Sequence, residues 1–416
     1  MSNLEDYKSE ARLAMENADY GSAIRALTEA IDLERDNITL YFTRGLAYFM
    51  RQDYDLAIED LTAVLSVEHT NADAMLTRAH AYYHTQQWDE AQQDYSEYIA
   101  LVTPSDTIAY ERRAGALTQL GDIQGALADY QRAIDINDTV GKFYYSRATL
   151  NYALGDFDTT ITEATTAIEQ DFIAPEVYEV RGSAYAKKQQ WDDAINDYTQ
   201  AIEYDRLSAS SYYNRGAVHY QLGKYGSAIS DFSHALKIEG DDITTLYARA
   251  IAYIDNNELR NARRDLTTLL RQKPDYAPAL HKRGKLYAMQ NKYEKALDDL
   301  EQAITLAPTI PEFLVSLGEL EIELEAYENA IGYFKRAMLN SNNQATHLYQ
   351  RAIAGLSLAY YLNAQDDQAY AYYNQLVALD LAYGDINTWR ENFQWSNLLL
   401  DATTEMIAHI ESQLDD

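Results

Sequence analysis

The chain of 416 residues contains no cysteine. Disulfide frameworks and thiolate metal sites are excluded, and cysteine usage says nothing of the redox compartment. Proline is scarce. The six, Pro104, Pro175, Pro274, Pro278, Pro308 and Pro311, fall between candidate helices, away from helix interiors where each costs about 3 kcal/mol. No stretch approaches the roughly 18 consecutive apolar residues of a membrane-crossing helix, so no membrane partner is expected. The acidic opening Met1-Ser-Asn-Leu-Glu-Asp lacks the apolar core of a secretory signal, and a soluble cytoplasmic protein is the expectation. Positive charge is in short supply: 34 Lys and Arg against 65 Asp and Glu leave a net charge of −31. Such a surface repels a phosphate backbone, so nucleic acid is not an expected partner. The charge serves either the solubility of a long exposed surface or a basic partner.

What the chain does have is a period. Small anchor residues stand at Ala23, Ala57, Ala91, Ala126, Thr160, Ala194, Ala228, Ala262, Ala296, Ala330 and Ala369, spaced by 34 residues with one step of 35 and a last of 39. Self-similarity at this length means a stacked array in which each unit buries its apolar face against its neighbours. In the unit around Ala228, Tyr212, Gly216 and Tyr220 recur at helical spacing over about residues 210–222. Gly223 then ends that helix, and Ala228, Ile229, Phe232, Ala235 and Leu236 form the stripe of a second helix over about residues 225–238. Twelve residues before each anchor the chain is always small: Ala11, Gly45, Ala79, Ala114, Ala148, Gly182, Gly216, Ala250, Gly284, Gly318 and Ser357. Close antiparallel packing of two helices needs this, with Gly216 expected to face Ala228.

A charge pair is written into the same period. Arg44, Arg78, Arg113, Arg147, Arg181, Arg215, Arg249 and Arg283 each precede the small residue, and sixteen residues later come Asp60, Asp94, Asp129, Glu163, Asp197, Asp231, Asp265 and Asp299. The three repeats without the arginine also lack the acid, so the pair is expected to bridge the two helices of one repeat.

The small slot, the aromatic residue before the anchor (Tyr20, Tyr54, Trp88, Phe157, Trp191, Tyr225, Tyr293, Tyr327) and the anchor itself together resemble the tetratricopeptide repeat family. The resemblance covers about residues 4 to 380, and the Tyr-x-x-Arg-Gly/Ala openings look like bacterial arrays of that family. The family's terminal proline is present only as Pro274 and Pro308. The resemblance implies an all-α, right-handed superhelical solenoid of about eleven helix-turn-helix repeats over residues 1–383. Residues 384–416 lose the signature, and Leu399, Ala402, Met406, Ile410 and Leu414 form one apolar stripe there. They are read as a pair of capping helices, with a partner-docking helix as the alternative.

The family's first helices line a concave face. Carried onto this register, the resemblance points to Phe42, Leu46 and Phe49; His80, Tyr83 and His84; Tyr145 and Tyr152; Tyr213 and Tyr220; and Tyr247, Ile251 and Ile254 as a groove for a protein or peptide segment. By this register the rings have no packing role within their own repeat, although they could instead fill the interior of a tight superhelix. Relatives that grip acidic chaperone tails use Lys, Asn and Arg on three successive first helices. Lys8 matches, but Arg12, Thr43, Asp73 and Thr77 replace the rest.

Residues 260–295 form a basic island of Arg260, Arg263, Arg264, Arg271, Lys273, Lys282, Arg283, Lys285, Lys292 and Lys295, followed by Glu312, Glu319, Glu321, Glu323, Glu325 and Glu328. Either neighbouring repeats neutralise one another, or Lys282 and Lys285 make a cationic groove spot for an acidic segment of a partner or of a second copy. His80 and His84 have zinc-ligand spacing but no third ligand nearby in sequence, and no phosphate loop or nucleophile elbow occurs. No metal, cofactor or catalytic residue is expected. The function read from the sequence is a non-catalytic interaction scaffold binding along its groove; a self-assembling structural protein without a groove ligand, and an enzyme accessory subunit or hidden enzyme, are the alternatives.

Overall fold

In this computed structural model, residues 4–102, 105, 107–341, 346–393 and 395–414 are described. They form two compact units, Met1–Arg206 and Leu207–Asp416. The first holds repeats 1 to 6 as helix pairs: Leu4–Glu16 with Tyr20–Leu33, Ile38–Met50 with Tyr54–Val67, Ala72–His84 with Trp88–Leu101, Thr107–Gln119 with Ile123–Ile136, Gly141–Leu154 with Phe157–Glu169, and Pro175–Lys187 with Trp191–Tyr204. The second holds repeats 7 to 11: Ala209–Gln221 with Tyr225–Glu239, Ile243–Asp255 with Leu259–Gln272, Ala277–Ala288 with Tyr293–Leu306, Pro311–Glu323 with Tyr327–Asn340, and His347–Leu362 with Asp366–Leu379. A 3-10 turn (Leu381–Gly384) and two further helices, Ile386–Phe393 and Asn397–Leu414, follow. Among the described residues there is no strand. This is the all-α helix-pair solenoid that the period predicts.

All eleven anchors are buried, with relative exposure of 1% or less. The small slot packs against the anchor and the turn that follows it. A methyl group on Gly216 would meet the Phe232 ring at 3.0 Å and Asp231 Cβ at 3.1 Å; on Gly45 it would meet Leu61 at 3.0 Å. The anchor's own carbonyl lies 3.4 Å and 3.3 Å from such a methyl on Gly182 and Gly284 and accepts from Ser357 Oγ at 2.8 Å, so the slot takes up the anchor's backbone and the larger side chain four residues on.

Each first helix ends in a left-handed residue five before the anchor: Ala18, Gln52, Gln86, Gly121, Gly155, Gln189, Gly223, Asn257, Asn291, Glu325 and Ala364. Only three of these are glycine, so the turn is imposed in the other repeats by packing of the two helices at a cost of about 1 kcal/mol or more. Asp19, Asp122 and Asp156 then cap second helices by accepting from the amides of Ser22, Gly125 and Thr159. Prolines lie closer to the helices than the sequence suggests. Pro175 and Pro311 begin helices and Pro278 is the second residue of one, positions where a missing N–H is tolerated. Pro104 lies outside the described residues.

All eight charge pairs form within a repeat. Seven are two-pronged, with guanidinium Nε and Nη2 each donating to one carboxylate oxygen at 2.6–3.0 Å. The acids are buried (side chains 2–7% exposed in these seven) and the arginines nearly so. Burial outweighs the arginine at Asp94 and Asp197 and raises both carboxyls above their ordinary range. Removing one partner therefore strands a buried charge, at about 3–5 kcal/mol. Repeat 5 departs from the pattern. Its longer Glu163 accepts from Arg147 Nη2 at 2.8 Å, while Arg147 Nε and Glu163 Oε2 are buried without a hydrogen-bond partner.

Glu163→Asp should let repeat 5 adopt the two-pronged geometry of its neighbours and satisfy both orphaned atoms. Urea unfolding of the full chain should then show a gain of about 1 kcal/mol. An unchanged or lower midpoint would show that the missing prong carries no energy.

Candidate functional site

In both units successive first helices lie against one another, those of repeats 2 and 3, 3 and 4, and 5 and 6, then 7 and 8, 9 and 10, and 10 and 11, while no pair of successive second helices packs as closely. First helices thus form the inner, crowded face of each unit. A side chain eleven or fifteen residues before the anchor, or eight before it, is repeated along that face once per repeat.

The rings expected on this face are half-buried: Phe42, Phe49 and Tyr83, with His80, then Tyr145 and Tyr152 in the first unit, and Tyr213, Tyr220 and Tyr247 in the second; His84 is exposed. Their expected freedom from packing within the repeat is incorrect. Phe49 touches Tyr54, Tyr83 touches Trp88, Tyr152 touches Phe157 and Tyr220 touches Tyr225, at centroid distances of 5.1–5.6 Å. Each pair joins the last turn of a first helix to the aromatic residue opening the second, because the short turn between them brings both rings over the same edge. Tyr145 stacks on Phe172, Tyr213 tilts against Phe232, and Tyr247 meets Tyr276 edge-on. Burial raises the phenols of Tyr145 and Tyr213 above the ordinary range and pushes Tyr247 up to about 12. One side of each ring packs and the other is presented.

His80 Nδ1 sits 2.6 Å from the hydroxyl of buried Tyr95. His84 stacks on Tyr54 at 4.7 Å, and its proton affinity is lowered by burial and then by Arg112. The two histidines thus serve different neighbours. Near the start of the first unit an open cavity is lined by Lys8, Arg12, Met15, Leu27, Thr39 and Thr43; Lys8 within it is held by Glu34 at 3.1 Å.

The arginines do more than pair within the repeat, a role the sequence reading missed. Nη1 of Arg44, Arg78, Arg113, Arg181 and Arg249 donates to Thr28, Thr62, Ser96, Thr165 and Ser233, each on the second helix of the preceding repeat. The signal was available: a hydroxyl stands five residues after those anchors. A tyrosine three or four residues away on the same first helix lies against the guanidinium of Arg44, Arg78, Arg113, Arg181, Arg215, Arg249 and Arg283. Seven of the 36 tyrosines thus shield this pair.

In the basic island, Lys282 meets Glu312 at 3.0 Å, so this member of the island and the first acid of the following stretch neutralise each other within the chain. Arg351 grips Glu319 through two hydrogen bonds at 2.5 and 2.8 Å. Lys285 is half-buried beside them, its proton affinity lowered by burial and by Arg351. Beneath lies His281, fully buried, with Nε2 2.9 Å from Ser316 Oγ and Nδ1 unpartnered 3.9 Å from Glu312. Ser316, His281 and Glu312 have the composition of a nucleophile, base and acid but not the geometry. The acid does not hydrogen-bond the imidazole, and the serine is buried in mid-helix.

Tetratricopeptide repeat profiles match residues 9–72 and 76–139, 48–97, and 209–242 with 277–310, and a TPR repeat profile matches 182–223; together they span more than half of the chain. The chain belongs to the tetratricopeptide repeat family. As a class, tetratricopeptide arrays are protein–protein interaction scaffolds, generally without catalysis of their own. Among solved structures, the chain is similar to the C-terminal part of a TPR repeat-containing protein from Cytophaga hutchinsonii (21% identity over 58% of this chain and 98% of that one, TM-score 0.51). It is also similar to a tetratricopeptide repeat protein from Parabacteroides merdae (20%, 59% and 98%, TM-score 0.45) and to YrrB, described as a TPR protein with an unusual peptide-binding site (22%, 43% and 92%, TM-score 0.40). At these identities the likeness bears on the fold alone. No curated protein matches. No helix among the described residues is long and apolar enough to cross a membrane.

Burial lowers the proton affinity of His281 from the ordinary 6.5 to about 3; Glu312 opposes the shift, while Lys285, Lys282 and Arg351 reinforce it. Between those values the unfolded chain holds a proton on His281 that the folded chain does not. The stability this contributes is full above pH 6.5 and is lost as pH falls toward 3. From pH 7.5 to 5, His281→Gln should lose about 2 kcal/mol less than the parent in urea unfolding. Parallel losses would contradict a neutral buried imidazole.

Proposed function

We propose that the first-helix face of each unit binds a protein or peptide segment of a partner, and that the chain works as a non-catalytic scaffold. The observation that carries this is the line of half-buried rings repeated in register on the inner helices. In the first unit the line runs through Phe42, Phe49, His80, Tyr83, Tyr145 and Tyr152, with exposed His84 beside it; in the second through Tyr213, Tyr220 and Tyr247, reaching Lys282 and Lys285. Tyrosine presents apolar area and a hydroxyl with few rotatable bonds, which suits it to recognition. Similar surfaces at regular spacing favour many modest contacts along one line, of which a minority dominate. The proposal assigns residues 1–383 to the repeat array and 384–416 to a cap, supported by the burial of Trp389, Phe393 and Trp395 in the core of the second unit.

Affinity capture from a native lysate, followed by titration of the captured partner against variants, tests the reading. Tyr145→Ala, Tyr213→Ala and Tyr220→Ala should each weaken binding by about 1–2 kcal/mol. Because each ring packs on one side, each should also lower stability, by less than the roughly 3–5 kcal/mol of a buried aromatic. Full core-sized losses, or a partner that binds all three as well as the parent, would remove the groove assignment.

A further inference from the structure

The inner face of the second unit already carries one occupant, the chain's own C-terminal helix. Asn397–Leu414 packs on the first helices of repeats 10 and 11. Trp395, which leads into it, donates its indole N–H to Glu319 at 2.7 Å, and His409 lies 5.6 Å from Tyr361. Glu319 stands eleven residues before its anchor and Tyr361 eight before its own, so both lie on the lines that carry the rings of repeats 7 and 8. Burial rises under the occupant. On these lines Val315, Ile322, Ala354 and Leu358 are 0–3% exposed, with Glu319 and Tyr361 half-buried, whereas Tyr213, Tyr220, Tyr247, Ile251 and Ile254 are all only half-buried.

In repeats 7 and 8 the three lines read Tyr213, Ala217, Tyr220, Tyr247, Ile251 and Ile254. None is a side-chain amide, and the Tyr220 hydroxyl is committed to Asp255 at 2.5 Å. An extended segment laid here would strand its backbone N–H and C=O groups, each a costly loss when buried. A helix satisfies them internally and offers one apolar stripe. In repeat 9 the same line holds Lys285. Its neighbours Lys282 and Arg351 are matched by Glu312 and Glu319, while among the described residues no carboxylate lies within 4.0 Å of Lys285. A half-buried cation that feels Glu319 and Glu312 only from beyond ion-pair distance, at the end of an apolar line, is complemented by an anionic group on whatever covers it.

We propose that the inner face of repeats 7 to 9 takes an amphipathic partner helix, its apolar stripe on the tyrosine–isoleucine lines and an acidic side chain on Lys285, on the same face as the C-terminal helix. The inference rests on the scaffold reading and narrows it from any segment to a helical, acidic one. The C-terminal helix shows the apolar half of this in cis, with buried Leu399, Met406 and Ile410 on the side that packs, while its acids Asp401, Glu405 and Glu411 are exposed.

The probe is a fluorescein-labelled synthetic peptide of residues 397–414, titrated by anisotropy against the full chain and against Ile251→Asp, Lys285→Glu and Lys285→Gln variants. A second peptide carries Ala402→Pro and cannot form the helix. The helical peptide should bind at least tenfold more tightly than the proline peptide. Ile251→Asp and Lys285→Glu should each weaken it at least tenfold, and Lys285→Gln, which leaves packing intact should Ile251→Asp fail to fold, at least threefold, with the lysine effects shrinking at high salt. Equal binding of both peptides, still sensitive to Ile251 and Lys285, would overturn the helical occupant while leaving the groove in place. Binding indifferent to all three substitutions would mean exchange at the peptide's own seat on repeats 10 and 11, and no binding would mean that this face does not accept such a helix; either overturns the proposal. The scaffold reading stands or falls separately, on the captured partner.

Discussion

A guanidinium held between three helices is the interaction on which the rest of this fold depends. From its place beside the small slot it reaches the carboxylate on its own second helix with two hydrogen bonds and, in five repeats, a hydroxyl on the second helix of the repeat before. Such an arrangement sets both the approach of the two helices within a repeat and the spacing of one repeat on the next. Burying it is costly, and burial indeed outweighs the arginine at Asp94 and Asp197. The geometry repays that cost through bidentate hydrogen bonds and an aromatic cover. A buried ion pair is weak evidence for net stability, but a planar fork that fits only one arrangement is good evidence for register.

The fold was legible because it is periodic. A small slot, an anchor and an Arg–acid pair recurring in step specify two antiparallel helices, and the structure places all eight pairs within their repeats. What escaped the sequence was whatever does not repeat as a residue type. The left-handed turn occurs in every repeat, yet its residue is Ala, Gln, Asn or Glu in eight of eleven, so no glycine signal marks it. The small slot was assigned to the anchor alone, although the residues three and four after it lie as close, because a one-letter pattern gives helical phase but not the axial offset between two helices.

The candidate groove was legible only in part. Register placed its side chains on the first helices, where all but His84 are half-buried. It did not show that Phe49, Tyr83, Tyr152 and Tyr220 lean on the aromatic residue opening the next helix, since that contact depends on the course of a short turn. Nor did it show where the C-terminal helix lies. Its stripe of Leu399, Met406 and Ile410 was readable, but the surface it covers, on the first helices of repeats 10 and 11, depends on the path of residues 380–396. Those two helices are buried on nearly every side, from Phe313 to Ile322 except at Glu319 and from Ala352 to Tyr360, as befits helices covered on the face that the other repeats leave open.

The account turns on the first helices forming the working face. Hydrogen exchange of the full chain, with and without a captured partner and resolved to individual helices, tests this most directly. It should show slowed exchange confined to first helices and to the turns that follow them, with second helices unchanged. Protection concentrated on second helices, or spread evenly over both, would contradict it.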